Sequence, residues 1–137
     1  MQDRFKFRYN YNNKIYDVFA IDFFHSTGQI VSLDRKETLM CKINLDNLIQ
    51  CTGLKDKNGK LIYEGDIVSV KVEIQDFFGE DEYYSENYKG KIIFEKGEIA
   101  IDVIDITRHL ISLFFNIKGC EVIGNIYENP EVIGGAK

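Results

Sequence analysis

From residue 68 onward, Val68, Val70, Val72 and Ile74 alternate with Ser69, Lys71 and Glu73. Strict period-two patterning puts the four aliphatic side chains on one face of an extended strand and leaves no helical stripe. The chain opens the same way. Phe5, Phe7, Tyr9 and Tyr11 take one parity, and Arg4, Lys6, Arg8 and Asn10 take the other. That pattern predicts a strand with one buried and one polar face. Turn signals recur along the chain at Asn12-Asn13-Lys14, Ser26-Thr27-Gly28, Asp34-Arg35-Lys36-Glu37, Asp56-Lys57-Asn58-Gly59-Lys60, Lys96-Gly97 and Lys118-Gly119. About seven or eight short strands lie between these signals. The spacing predicts a mainly β fold, a sandwich or partly open barrel of antiparallel strands with one or two short helices. An α+β arrangement is the alternative.

Individual segments carry more detail. Asn58-Gly59 between apolar stretches predicts a type I′ hairpin, because both central residues tolerate positive φ. Leu45, Leu48 and Ile49 sit behind a cap at Asn44 and predict a short helical turn. Residues 108–117 fit strand and helix equally. The segment 75–89 lacks any strict period and reads as a long acidic and aromatic loop. Asn129-Pro130 closes the last strand, since proline donates nothing to a ladder.

With 137 residues, the chain fits one domain spanning 1–137. No apolar run approaches the roughly 20 residues that cross a bilayer. Residues 1–6 lack the apolar core of a signal peptide. The expectation is a cytoplasmic protein without membrane contact. The net charge of -5 is local in origin. Glu73, Asp76, Glu80, Asp81, Glu82 and Glu86 crowd into residues 73–88, and the rest of the chain holds 16 acids against 17 bases. So balanced a remainder carries no obligatory basic stripe of the kind non-specific nucleic-acid binding needs. Cys41, Cys51 and Cys120 are odd in number and widely spaced, which fits reduced thiols and provides no Cys-x-x-Cys zinc pair.

Three candidate chemistries can be weighed on the residues. Asp56, Glu64 and Asp66 fall within eleven residues and raise the possibility of a divalent metal. Aligning Gly59 with the glycine of an EF-hand loop puts Leu54 and Gly65 at its terminal ligand positions, where oxygen donors are required. The loop fails, and a turn-setting role for Asp56, Asn58 and Gly59 accounts for the segment. Gly-Asp ahead of an alternating strand is also common in SH3-like barrels, an analogy of fold alone. His25 and His109 are the only histidines. Neither lies in a nucleophile motif, and no Gly-x-Ser-x-Gly elbow is present. Gly124 inside an extended stretch marks a bulge or corner, with Asn125, Tyr127 and Glu128 as candidate contacts.

Three blocks resemble the YopX family of phage- and prophage-encoded proteins. They are Lys6-Phe7-Arg8, the long run from Leu48 through Val68, and the run from Glu121 through Glu131. The matching positions in the last two include Gln50, Thr52, Gly53, Asp56, Asn58, Gly59, Tyr63, Glu64, Gly65, Asp66, Gly124, Asn125, Tyr127 and Glu128. The family usually carries a tryptophan near the position of Tyr9, and an aromatic residue where this chain has Cys51. The resemblance implies a bacterial or phage cytoplasmic origin and self-association, with no biochemical activity to carry over.

These readings lead to a non-enzymatic, self-associating protein-interaction module, without cofactor or metal, that engages a host or phage protein. Phe77, Phe78, Tyr83, Tyr84 and Tyr88 are the expected interface, because aromatic residues on a surface segment need something to pack on. The alternative is a nucleic-acid-binding module using Arg4, Lys6 and Arg8. Against it, period two sets the cations of that strand opposite its aromatics, so the strand alone makes no stacking platform.

Overall fold

A computed structural model describes residues 6–75, 83–104 and 109–131. Two open antiparallel sheets make up the fold, and among the described residues no closed barrel forms. The first sheet contains β1 (Phe7–Tyr11), β2 (Lys14–Asp22), β3 (Thr27–Ser32), β4 (Thr38–Lys42), β5 (Leu48–Lys55) and β6 (Leu61–Tyr63). Their spatial order is β4-β3-β2-β1-β5-β6. The second contains β7 (Asp66–Gln75), β8 (Tyr83–Glu95), β9 (Glu98–Val103), β10 (His109–Ser112) and β11 (Cys120–Asn125), in the order β10-β9-β8-β7-β11. The protein is mainly β, as the alternation of apolar residues requires.

Turn chemistry sets the hairpins. Asn12 and Asn13 both have positive φ, 53° and 64°, and join β1 to β2 with Tyr11 facing Lys14. That is the two-residue geometry whose twist matches a hairpin. Lys96 and Gly97 join β8 to β9 in the same way. The turn at 56–60 differs from the type I′ expectation. Only Gly59 has positive φ there, 81°. The Gly59 N–H donates to the Asp56 carbonyl at 3.0 Å, and the Asp56 N–H to the Lys60 carbonyl at 2.8 Å. This is a three-residue loop ending in a left-handed glycine. Asp56 chooses it, because its carboxylate captures the N–H groups inside the turn.

One further reading is corrected and one open segment is resolved. The stretch expected as loop at 75–89 is strand from Tyr83 onward, paired with β7 from Ile67↔Lys91 through Gln75↔Tyr83. Cross-strand pairing with a strongly patterned neighbour overrides the missing period in 83–89. Phe77 and Phe78 lie outside the described residues. The ambiguous segment at 108–117 is both things in turn, β10 followed by the short helix α1 (Leu113–Asn116). The turn at Leu45–Asn47 forms as the Asn44 cap implied, with the Asn44 Oδ1 accepting from the Asp46 N–H at 3.0 Å.

Each sheet has its own core. In the second, Val68, Val70, Ile92, Ile101, Val103, Leu113 and Cys120 are buried together. The first holds Tyr9, Tyr16, Ile30 and Ile43. Ile62 of β6 belongs to the core of the second sheet, while Tyr63, its neighbour, packs with Ile15, Ile49 and Cys51 of the first. The β5–β6 hairpin therefore crosses from one sheet into the other. All three cysteines are thiols, and Cys51 and Cys120 act as small buried fillers.

Gly90 is where β8 passes closest to β9. A Cβ there would sit 2.5 Å from Ile101 Cγ2 and 2.8 Å from the Asp102 carbonyl oxygen. Gly90→Ala should lower unfolding free energy by about 1–3 kcal/mol through overpacking, read as a shift of the urea midpoint at unchanged slope. An unchanged midpoint would show that the two strands part freely at this point.

Candidate functional site

The family-motif residues gather where the hairpin meets the second sheet. Burial pushes the Asp56 carboxyl up, but N–H donors from Val122, Lys60 and Asn58 outweigh it and hold the group below its usual range. The Asn58 and Lys60 N–H groups donate to Oδ1, each at 2.9 Å. The Val122 N–H donates to Oδ2 at 2.9 Å, which fastens the turn to β11. Lys57 N–H adds a bond to the Cys120 carbonyl at 2.9 Å. Asn58 Nδ2 reaches Glu121 at 3.3 Å. Thr52 is buried, donates its hydroxyl to the Ile62 carbonyl at 2.7 Å and accepts from the Leu54 N–H at 3.1 Å. With Gly53 at φ 82°, it carries the irregular register between β5 and β6.

Gly65 and its neighbours close the other side. The Gly65 N–H donates to Ile92, its carbonyl accepts from Ile126, and the Glu64 N–H donates to Gln50, each at 2.9 Å. A Cβ on Gly65 would lie 2.7 Å from the Tyr127 ring, and φ is 85°, so only glycine fits. Asp66 is 5% exposed and accepts from the Tyr63 N–H at 2.8 Å. Burial raises its carboxyl to about 6, offset in part by that hydrogen bond and by Arg8 and Lys60. Burial likewise raises Glu64 and Tyr127.

At the end of β11 the register shifts between Val122 and Gly124, the bulge that an in-strand glycine implies. Asn125 Oδ1 accepts from the Tyr127 and Glu128 N–H groups at 3.0 and 2.8 Å. Glu128 Oε2 accepts from the Ile15 N–H at 2.9 Å. A cleft of about 320 Å³ opens beside Asp66, Gly124, Asn125 and Glu128. Thr52, Asp56, Asp66, Asn125 and Glu128 thus hold backbone. Among the described residues no three His, Cys, Asp or Glu side chains group as metal ligands.

A second, larger feature was not anticipated. Arg8, Asp17 and Val31 lie side by side across β1, β2 and β3, on the face opposite the row of Tyr9, Tyr16 and Ser32. The Arg8 guanidinium stacks 4.1 Å from the Tyr63 ring centroid and donates to Asp17 Oδ1 at 3.2 Å. Arg35 meets Asp17 Oδ2 at 3.0 Å. In β2, Val18 faces Ile30 and Ala20 faces Gln29, so Phe19 is the extra residue of a bulge. Phe19 and Phe23 are 75% and 67% exposed. With Lys6, Arg8, Arg35 and Tyr63 they line a cleft of about 850 Å³. The unbroken apolar run Val18-Phe19-Ala20-Ile21 was the available signal, since it violates period two where a bulge changes the facing.

Of the expected interface, Tyr88 packs partly against the second core and donates its hydroxyl to Glu86. Tyr83 and Tyr84 lie in β8.

The chain belongs to the YopX family, whose model, described as YopX protein, matches residues 6–134. Among solved structures, the fold is similar to the crystal structure of protein EF1440 from Enterococcus faecalis. The two share 23% identity over 93% of this chain and 96% of that one, with a TM-score of 0.52. No curated protein matches the chain.

Two measurements test the polar joint. Asp56→Ala removes the acceptor of three N–H groups, two in the turn and one in β11, and should cost about 2–3 kcal/mol. Asp66 has the opposite electrostatics. Its folded carboxyl sits above its ordinary value of 3.8, at about 6, so its stabilising contribution is complete below pH ~4 and is lost as pH rises through ~6. Asp66→Asn should therefore gain on the wild type by about 2–3 kcal/mol between pH 4 and pH 7. Parallel stability curves for the two proteins would show that burial does not govern this carboxyl.

Proposed function

We propose that this YopX-family chain is a non-enzymatic interaction module that pairs with a second copy and with a protein partner through the edge of its first sheet. The observation that carries this is the state of β4. It is an edge strand of the described sheet, and its row of outward backbone groups is a template for another strand. Edge strands are commonly guarded by charge, yet in Thr38–Lys42 only the final residue is charged. Met40 in its middle is 73% exposed, and Phe24 in the β2–β3 turn is 90% exposed. Leu39 and Cys41 pack inward on Ile30 and Ile43, so the strand is firmly seated and available on its outer side.

The polar motif supports a binding role over a catalytic one. Asp56, Asp66, Asn125 and Glu128 accept from backbone N–H groups, which supports a rigid scaffold on which a surface can be displayed. The family resemblance supports a phage or prophage accessory protein acting in the bacterial cytoplasm.

Met40→Lys combined with Phe24→Ser changes two exposed side chains and should alter stability by no more than about 0.5 kcal/mol. Light scattering behind size exclusion should show the wild type assembling and the double variant shifting to monomer. A wild type that stays monomeric at about 100 μM, which puts any dimer Kd above that concentration, would overturn self-pairing. So would a variant that assembles unchanged.

A further inference from the structure

We infer that the cleft on the open face of the first sheet binds single-stranded nucleic acid. This goes beyond the edge-pairing role, and neither Met40 nor Phe24 lines the cleft. The charge is the first argument. Lys6, Arg8 and Arg35 line it against a single acid, Asp17, a local charge of +2 on a protein of net charge -5. A cationic surface that survives on an acidic protein attracts a polyanion, and counterion release supplies affinity.

The second argument is the placement of the rings. Arg8 faces away from Tyr9 and Tyr11 of β1, as period two demands. The platform uses aromatics from elsewhere. Phe19 stands two residues beyond Asp17 on the same face of β2, and Phe23 comes from the following turn, both exposed, while the buried Tyr63 ring serves to hold Arg8. Exposed rings beside a basic groove stack unpaired bases, which a duplex keeps hidden. The third argument is preorganisation. Asp17 bridges both guanidinium groups, and Tyr63 fixes the plane of Arg8, so donors are set before a phosphate arrives. The volume of about 850 Å³ is within the range of ligand sites.

The test uses a fluorescein-labelled oligothymidine in anisotropy titrations of the full chain across salt concentrations. A duplex of equal length and poly-glutamate serve as competitors. Phe19→Ala with Phe23→Ala should weaken binding about tenfold or more while circular dichroism stays unchanged, because both rings are exposed. Arg35→Glu should weaken binding and flatten its salt dependence. Duplex and poly-glutamate should compete poorly. The inference fails if oligothymidine does not bind at low salt, or if neither variant weakens binding. It also fails if poly-glutamate competes as well as the oligonucleotide, which would identify an acidic peptide as the occupant. Edge pairing is read separately, by the mass of the unliganded protein.

Discussion

The Asp56 carboxylate is the interaction on which the rest of this architecture depends. The cores of the two sheets meet mainly where the β5–β6 hairpin crosses, through Ile62 and Leu54 on one side and Tyr127 on the other, so their union rests on that crossing. One carboxylate shapes that hairpin by taking two N–H groups of its own turn, and anchors it by taking the Val122 N–H of β11. A charged acceptor with several backbone donors is among the stronger buried polar arrangements. Ile62 then enters the second core while Tyr63 remains in the first. Local turn geometry and the placement of the two sheets are one event.

Asp66, ten residues on, works under the opposite sign. Asp56 is buried with enough donors to keep its charge, whereas Asp66 has the Tyr63 N–H and only distant cations. The joint therefore contains one carboxylate that stabilises when ionised and one that is strained by ionisation. Gly65 lies between the Tyr127 ring and the backbone of Ile92, so little relaxation is open to the chain there.

Sequence patterning made the strands legible, because half-buried strands must alternate. Val68 through Ile74 and the Asn12-Asn13 turn are read directly from residue types. What remained hidden depended on partners distant in the chain. The turn at Asp56 follows a side chain that bonds into β11, and no dipeptide rule contains that information. Residues 83–89 become strand because β7 lies alongside. The cleft was invisible for a related reason. It combines Arg8, Phe19, Arg35 and Tyr63 from four places, and no local pattern in the sequence brings those four together.

The division between scaffold and surface bears on what a family pattern can say about function. The blocks at 48–68 and 121–131 build the joint, and their side chains are occupied in doing so. Phe19, Phe23 and Arg35 lie outside those blocks, and so do Phe24 and Met40. Recognition of the family thus identifies how the two sheets are fastened. A rigid joint holds an open sheet face steady while leaving its side chains unconstrained by the core. Phe19, Phe23 and Arg35 on that face can change without loss of fold, whereas Lys6, Arg8 and Tyr63 of the same cleft belong to the family blocks, so what is particular to this chain is sought in the former three and in the β4 edge.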